Sequence, residues 1–156
     1  MNVSGSTNAS INVGYWNIHG YTSKVIGQKV RDREFLDIIG DCDVIRIGEI
    51  QSSSKIDIEG YISIDQKIRD KTTNGPKIAG GIGVFVKKEI SHLVELIPND
   101  NEDSIWVHLK PELTKYSESV YLGTFYVSPA NKNNKSYDFL KSVNEEVYRF
   151  MNKGRF

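Results

Sequence analysis

The stretch Ile11-Asn12-Val13-Gly14-Tyr15-Trp16-Asn17-Ile18-His19-Gly20 places Ile11, Val13 and Tyr15 on one side of an extended chain, with Asn17 next in that series and Gly20 at its exit. Alternation with a period of two marks a strand. Two later stretches share the plan of an apolar run that closes on a polar side chain. Asp43-Val44-Ile45-Arg46-Ile47-Gly48-Glu49 ends on a carboxylate, and Val120-Tyr121-Leu122-Gly123-Thr124-Phe125-Tyr126 ends on a phenol. An amide, a carboxylate and a phenol, each where a strand runs out into a loop, are the groups from which a metal-assisted phosphoryl-transfer site in an α/β protein would be built.

The rest of the chain supplies the elements around these strands. Val30, Phe35, Leu36 and Ile39 form an apolar face among charges, which predicts a short helix from about Gln28 to Ile39 that ends near Gly40. The run from Asp43 to Glu49 is short and mostly apolar, as in a strand buried on both faces, with Ile45 and Ile47 sharing a face with Glu49. Arg46 breaks that pattern, read either as a side chain snorkelling at a sheet edge or as the mark of a drifted copy. Residues 51–60 read as a polar loop, Tyr61 to Ile64 as a short strand, and Asp65 to Lys77, with Asn74-Gly75-Pro76, as an exposed turn. Gly80 to Val86, Ser104 to Lys110 and Val120 to Tyr126 read as further strands, the last halted by Ser128-Pro129. From Lys135 to Lys153 the apolar residues Val143, Val147, Phe150 and Met151 recur at helical spacing, and Gly154 follows as a C-cap. The order strand, helix, strand, then several strands, then a helix predicts an α/β protein built as a layered sandwich.

Composition narrows the function classes. A chain of 156 residues with 38% hydrophobic and 26% charged residues has the makings of one folded domain. No apolar run approaches the roughly 20 residues of a membrane span, so no membrane association is expected. Twenty basic and twenty acidic residues cancel, so no global positive field announces a nucleic-acid partner and phosphate binding has to be local. Residues 1–10 are polar, read as a flexible lead-in, and lack the basic start and apolar core of a secretory signal. Cys42 stands alone, so no internal disulfide forms. Together these readings predict an intracellular protein, in nucleus or cytoplasm.

Each candidate site residue also has a plainer role. Glu49 reads as a magnesium ligand or as an acid at a solvated strand end; Asn17 as a phosphate or metal-water partner or as a turn residue; Tyr126 as a phosphate donor or as a strand aromatic. His19 reads as a substrate contact or a turn histidine, and His108 as a satisfied strand histidine. Gly80-Gly81-Ile82-Gly83 lacks the spacing of a dinucleotide fingerprint and reads as a turn or bulge.

Taken in order, the blocks from Ile11 to Gly20, Cys42 to Glu49, Ala79 to Lys87 and Tyr121 to Pro129 resemble those of the endonuclease/exonuclease/phosphatase superfamily. The likeness is strongest to the endonuclease domains of non-long-terminal-repeat retrotransposons and their kin, the apurinic/apyrimidinic endonucleases. It covers nearly everything after residue 10. The resemblance implies a DNA-cleaving phosphodiesterase dependent on Mg2+ (or Mn2+), in which Glu49 binds the metal, Asn17 positions the phosphate or shares in metal binding, and Tyr126 contacts the scissile phosphate. Histidine at position 19 departs from the acidic residue of the repair enzymes, so activity at abasic sites is not implied. Ile50-Gln51 also departs, where a threonine often follows the glutamate in that family.

The Gly-Asp-Phe-Asn-like and Ser-Asp-His-like blocks of the superfamily do not occur in the chain. The expectation is therefore a domain over residues 11–156 that is the N-terminal part of such an endonuclease. It would be largely one mixed sheet with flanking helices, with the second sheet coming from a missing C-terminal half. Such a chain is expected to be inactive alone, because members of a cooperating catalytic set are absent, and to self-associate through uncovered sheet faces. Two alternatives accompany it: a phosphoesterase of the same superfamily, and a non-catalytic remnant derived from a retroelement.

Overall fold

Alternating β-branched and aromatic residues form most of the strands in the computed structural model, which describes residues 10–23, 27–68, 80–126 and 135–151. The chain begins with β1 (Val13–Asn17), a short ladder of β2 (Thr22–Ser23) with β3 (Gly27–Gln28), a 3-10 turn over Lys29–Arg31, and α1 (Arg33–Ile39). Next come β4 (Val44–Gly48), β5 (Tyr61–Lys67) and β6 (Ile82–Lys87), then a 3-10 run Lys88–Leu93. β7 (Val94–Ile97), β8 (Ser104–Leu109), α2 (Pro111–Thr114), β9 (Val120–Phe125) and α3 (Lys135–Met151) complete the order. The predicted helix near residue 28 divides at Asp32, whose side chain accepts hydrogen bonds from the Glu34 and Phe35 amides at 3.0 and 3.2 Å and so caps α1. The expected turn at 74–76, the stop at 128–129, the cap at 154 and the lead-in over 1–9 lie outside the described residues.

The strands fall into two principal sheets, so the expectation of largely one mixed sheet is corrected. A four-stranded sheet has the order β1-β4-β6-β5, with β1 and β4 parallel and the other pairs antiparallel. A three-stranded antiparallel sheet has the order β7-β8-β9. Burial explains the division, because Ile82 to Val86 are all buried and both faces of β6 need a cover. On one face Ile45, Ile47 and Phe85 join Val30, Ile39, Ile56 and Ile58, with Phe35 and Leu36 of α1 against them. On the other, Val44, Ile82, Val84 and Val86 share a core with Val94, Ile105, Val107 and Leu109 of the second sheet. The sheet face expected to lie bare is thus covered from within this chain. The second sheet's far face carries α3, with Trp106 against Phe150 at 4.6 Å between ring centroids.

Arg46 is the second correction. It lies on an inner strand, not a sheet edge. Its guanidinium crosses to the other sheet and donates to the Gly123 carbonyl at 3.3 Å, with its carbon 5.7 Å from the Tyr15 ring centroid. Burial lowers its pKa below the usual arginine value.

Two contacts fix the relative sense of the strands that matter for the site. The start of β1 and the start of β9 line one cleft, through Ile11, Val13, Val120 and Leu122, while mid-β4 meets mid-β9 through Arg46 and Gly123. Hence β9 runs in the same sense as β1 and β4, and their C-terminal ends lie on one side of the molecule. The four-stranded sheet also extends past the three-stranded one: Val13 and Tyr15 on β1 are 40% and 45% exposed, and the outer edge of β9 pairs with no strand among the described residues.

Candidate metal centre at the ends of two parallel strands

Asn17 and Glu49 are brought together by the pairing of β1 with β4. The register runs from Val13 opposite Val44 to Asn17 opposite Gly48, so the parallel strands deliver both residues to one sheet end. The zipper continues past the strands: Ile18 donates to the Gly48 carbonyl, Gly20 to that of Glu49 at 2.7 Å and Tyr21 to that of Ile50 at 2.9 Å. From the other side, Ile50 and Gln51 donate to the carbonyls of Gly81 and Gly80. Both loops are therefore held by backbone bonds.

Strict alternation would send the two side chains to opposite faces of the sheet. Asn17 follows Val13 and Tyr15, whereas Glu49 follows Ile45 and Ile47 toward α1. The conflict is resolved by the backbone, because Glu49 has φ of 53° and His19 has φ of 47°. These left-handed conformations break the alternation and return the Glu49 carboxylate toward Asn17 and His19. For residues other than glycine such conformations cost of order 1–3 kcal/mol and cluster at functional sites.

The polar contacts are short. His19 Nδ1 stands 2.7 Å from Glu49 Oε2, with the imidazole side chain 85% and the carboxylate side chain 16% exposed. The Asn17 side-chain oxygen accepts from the His19 amide at 3.0 Å, which closes an Asx turn and leaves the Asn17 side-chain nitrogen to donate to Glu49. The hydrogen bond from His19, and after it that from Asn17, holds the Glu49 carboxyl below its ordinary range and outweighs the opposing effect of burial. Lys29 props the loop from beneath, its Nζ donating to the carbonyls of Ile18 at 2.6 Å and His19 at 3.2 Å.

Tyr126 lies at the same end, as the sense of β9 requires, but in a different setting. It is 9% exposed and belongs to the core between the sheets. Its amide donates to the Asp103 carbonyl at 3.0 Å. The structure thus joins Asn17 to Glu49, adds His19, which the sequence offered as a substrate contact or a turn histidine, and brings in Lys29, which the sequence did not single out. His19 carried a signal, standing two positions after Asn17 in a turn; Lys29 carried none, because it acts across a loop on backbone carbonyls.

The residues fit a hard divalent cation in chemical type. Glu49 is ionised, partly covered and flanked by an amide and an imidazole, with the open side toward solvent, and magnesium sites of this kind often use one or two carboxylates and keep several waters. Among the described residues no group of three or more His, Cys, Asp or Glu side chains comes together, so the set is a carboxylate, an imidazole and an amide. A surface cleft of about 630 Å3 lies elsewhere, at the opposite end of the sheet beside Arg31, Arg33 and Lys87. Comparison with protein-family models, characterised proteins and solved structures finds no match.

Proposed function

We propose that this sheet end is one side of a divalent-metal-dependent site for phosphodiester cleavage in DNA, in a domain related to the layered α/β sandwich of the endonuclease/exonuclease/phosphatase superfamily. The observation that carries the reading is the meeting of Asn17 and Glu49 at the ends of two paired parallel strands, through left-handed backbone at His19 and Glu49. A metal ion held by Glu49, with Asn17 beside it, would offset charge on a phosphate oxygen. Asn17 would orient the phosphate or the ion's water shell through its amide, and Lys29 would keep the loop in place. Tyr126, at the same end, would meet the phosphate once its side of the site is complete.

DNA as the substrate rests on the order of the four sequence blocks, since the net charge of zero supplies no attraction of its own. The second sheet is narrower by one strand than the first, and the outer edge of β9 beside the candidate site is where a further strand would complete it. On this reading a base for the attacking water comes from polypeptide docked there, and residues 11–156 alone cleave weakly or not at all. The test is nicking of supercoiled DNA with Mg2+ or Mn2+, by this chain and by the chain extended through any in-frame coding sequence after Phe156. Metal-dependent nicking by the extended protein, abolished by Glu49→Ala, is the expected result. Nicking indifferent to Glu49→Ala would reject the site, and faster turnover of small phosphoesters than of DNA would reassign the substrate.

A further inference from the structure

We propose that His19 is itself a ligand, through Nδ1, of the ion held by Glu49, and that it makes the site favour Mn2+ over Mg2+. The inference rests on the reading of Glu49 as a metal ligand and adds the identity of a second donor.

The geometry is already close to what two neighbouring ligands require. Bonds of about 2.1 Å at right angles around an octahedral ion set adjacent donor atoms roughly 3 Å apart. His19 Nδ1 and Glu49 Oε2 are 2.7 Å apart. An ion would replace the hydrogen that now lies between them once the imidazole turns by about 45° to point Nδ1 at the ion instead of at Oε2, a rotation that its exposure allows, the imidazole proton then residing on Nε2. The approach is open, since His19 is 85% exposed. The loop is also fixed in a conformation that holds the two side chains side by side: the left-handed residues 19 and 49 are tied by the bond from Gly20 to the Glu49 carbonyl, and the His19 amide is tied to Asn17. The exposure of His19 would leave an ion held there room for waters and a phosphate oxygen.

The donor type then decides which ion gains. Magnesium is hard, takes oxygen ligands and loses its waters reluctantly, whereas imidazole nitrogen suits first-row transition ions. A carboxylate at position 19 would serve both ions, while a histidine strengthens Mn2+ selectively. The neutral ring adds no charge, so the effect is one of selectivity more than of overall attraction.

The full chain is titrated with MnCl2, free Mn2+ being read by electron paramagnetic resonance, and Mg2+ affinity is obtained by competition. Imidazole resonances are followed by 15N-edited NMR in the same samples. The expected result is that His19→Ala weakens Mn2+ binding about tenfold and Mg2+ binding less than about twofold, and that Mn2+ broadens the His19 ring signals at the lowest additions. His19→Asp, which replaces the nitrogen donor by a carboxylate oxygen, should bring the two affinities closer together than in the parent chain. Equal weakening of both ions by His19→Ala, or none, with Glu49→Ala still abolishing binding, overturns the role of His19 and leaves Glu49 as the ligand. Absence of Mn2+ and Mg2+ binding by the parent chain overturns both readings.

Discussion

Removing the Glu146 carboxylate should detach α3 from the second sheet more severely than any surface substitution on that helix. Glu146 is 8% exposed, and its oxygens accept from the Trp106 indole, from the Ser104 hydroxyl at 3.1 Å and from the Asn101 side-chain amide at 3.1 Å. Two of the three donors are as buried as the acceptor, Trp106 being 2% and Ser104 0% exposed, while Asn101 is half-buried. In Glu146→Ala the indole and hydroxyl lose this partner, and an unsatisfied buried donor costs about 1–3 kcal/mol. Ser104 has a fallback in Asn99 Oδ1 at 3.4 Å, which lowers its share. A loss of ~3 kcal/mol follows, equivalent to roughly 6–12 °C in Tm for a domain of this size.

Urea unfolding followed by far-ultraviolet circular dichroism and tryptophan fluorescence measures that loss. Glu145→Ala, one residue away and exposed, is the control and should stay within about 0.5 kcal/mol of the parent. Glu146→Gln keeps one oxygen for the indole but sets an NH2 donor against the Asn101 amide, so it should fall between the two. In the Glu146→Ala background Trp106→Phe should cost less than it does alone, because the indole has already lost that bond. A Glu146→Ala variant within about 1 kcal/mol of Glu145→Ala would refute the reasoning and show that ring packing alone holds α3.

Three further outcomes follow from local geometry. Lys115, the C-cap of α2, has φ of 61°, so Lys115→Gly should raise the unfolding free energy by about 0.5–1 kcal/mol in the same urea assay. At position 49 the usual order of small residues should invert: with φ of 53°, Glu49→Gly should be more stable than Glu49→Ala by ~1 kcal/mol, and equal stabilities would contradict the left-handed turn. The Tyr61 phenol donates to the carbonyls of Ile39 and Cys42 at 2.7 and 2.8 Å, and burial pushes its pKa up to about 12. Because the folded value is the higher one, the stability this proton contributes is complete below pH ~10, the unfolded value, and is lost as pH rises through about 12. Tyr61→Phe should therefore cost ~1–2 kcal/mol at neutral pH and lessen the alkaline fall in stability, as read by unfolding at a series of pH values.

The strands were legible because alternation is a local property. Val13 to Asn17, Ile105 to Leu109 and Val120 to Phe125 announce their faces within a few residues. Their division into two sheets was not legible, since a strand buried on both faces, such as β6, looks the same whether a helix or another sheet covers it. The missing clue was the stretch 88–97, where a 3-10 run turns the chain and β7 begins the second sheet with only Val94 buried. Arg46 misled for a related reason: a charged residue in an apolar run signals an edge unless some distant group receives it, and its acceptor, Gly123, is 77 residues away. The carboxylate and amide of the candidate site were legible as strand ends, whereas the contact of His19 with Glu49 depends on the sign of two φ angles that no propensity encodes.

The placement of strain separates the candidate site from ordinary turns. Of the described residues other than glycine with positive φ, Lys115 ends a helix, where such a cap is routine, and the other three are His19, Glu49 and Gln51. Those three belong to the two loops that leave β1 and β4, and Gly20, Gly80 and Gly81, also with positive φ, lie against the same loops. A chain that needed only to turn at this edge could use glycine at each position without loss of core, because His19 is exposed and Glu49 is no member of either apolar core. Side chains instead stand where glycine is favoured, and backbone bonds to Gly20, Tyr21, Gly80 and Gly81 hold the loops there. What these conformations achieve is the convergence of a carboxylate, an imidazole and an amide that regular strands would point apart. The same turns seat Ile18 and Ile50 in the core beneath α1, so the strain is held by packing on one side while it gathers the polar side chains on the other.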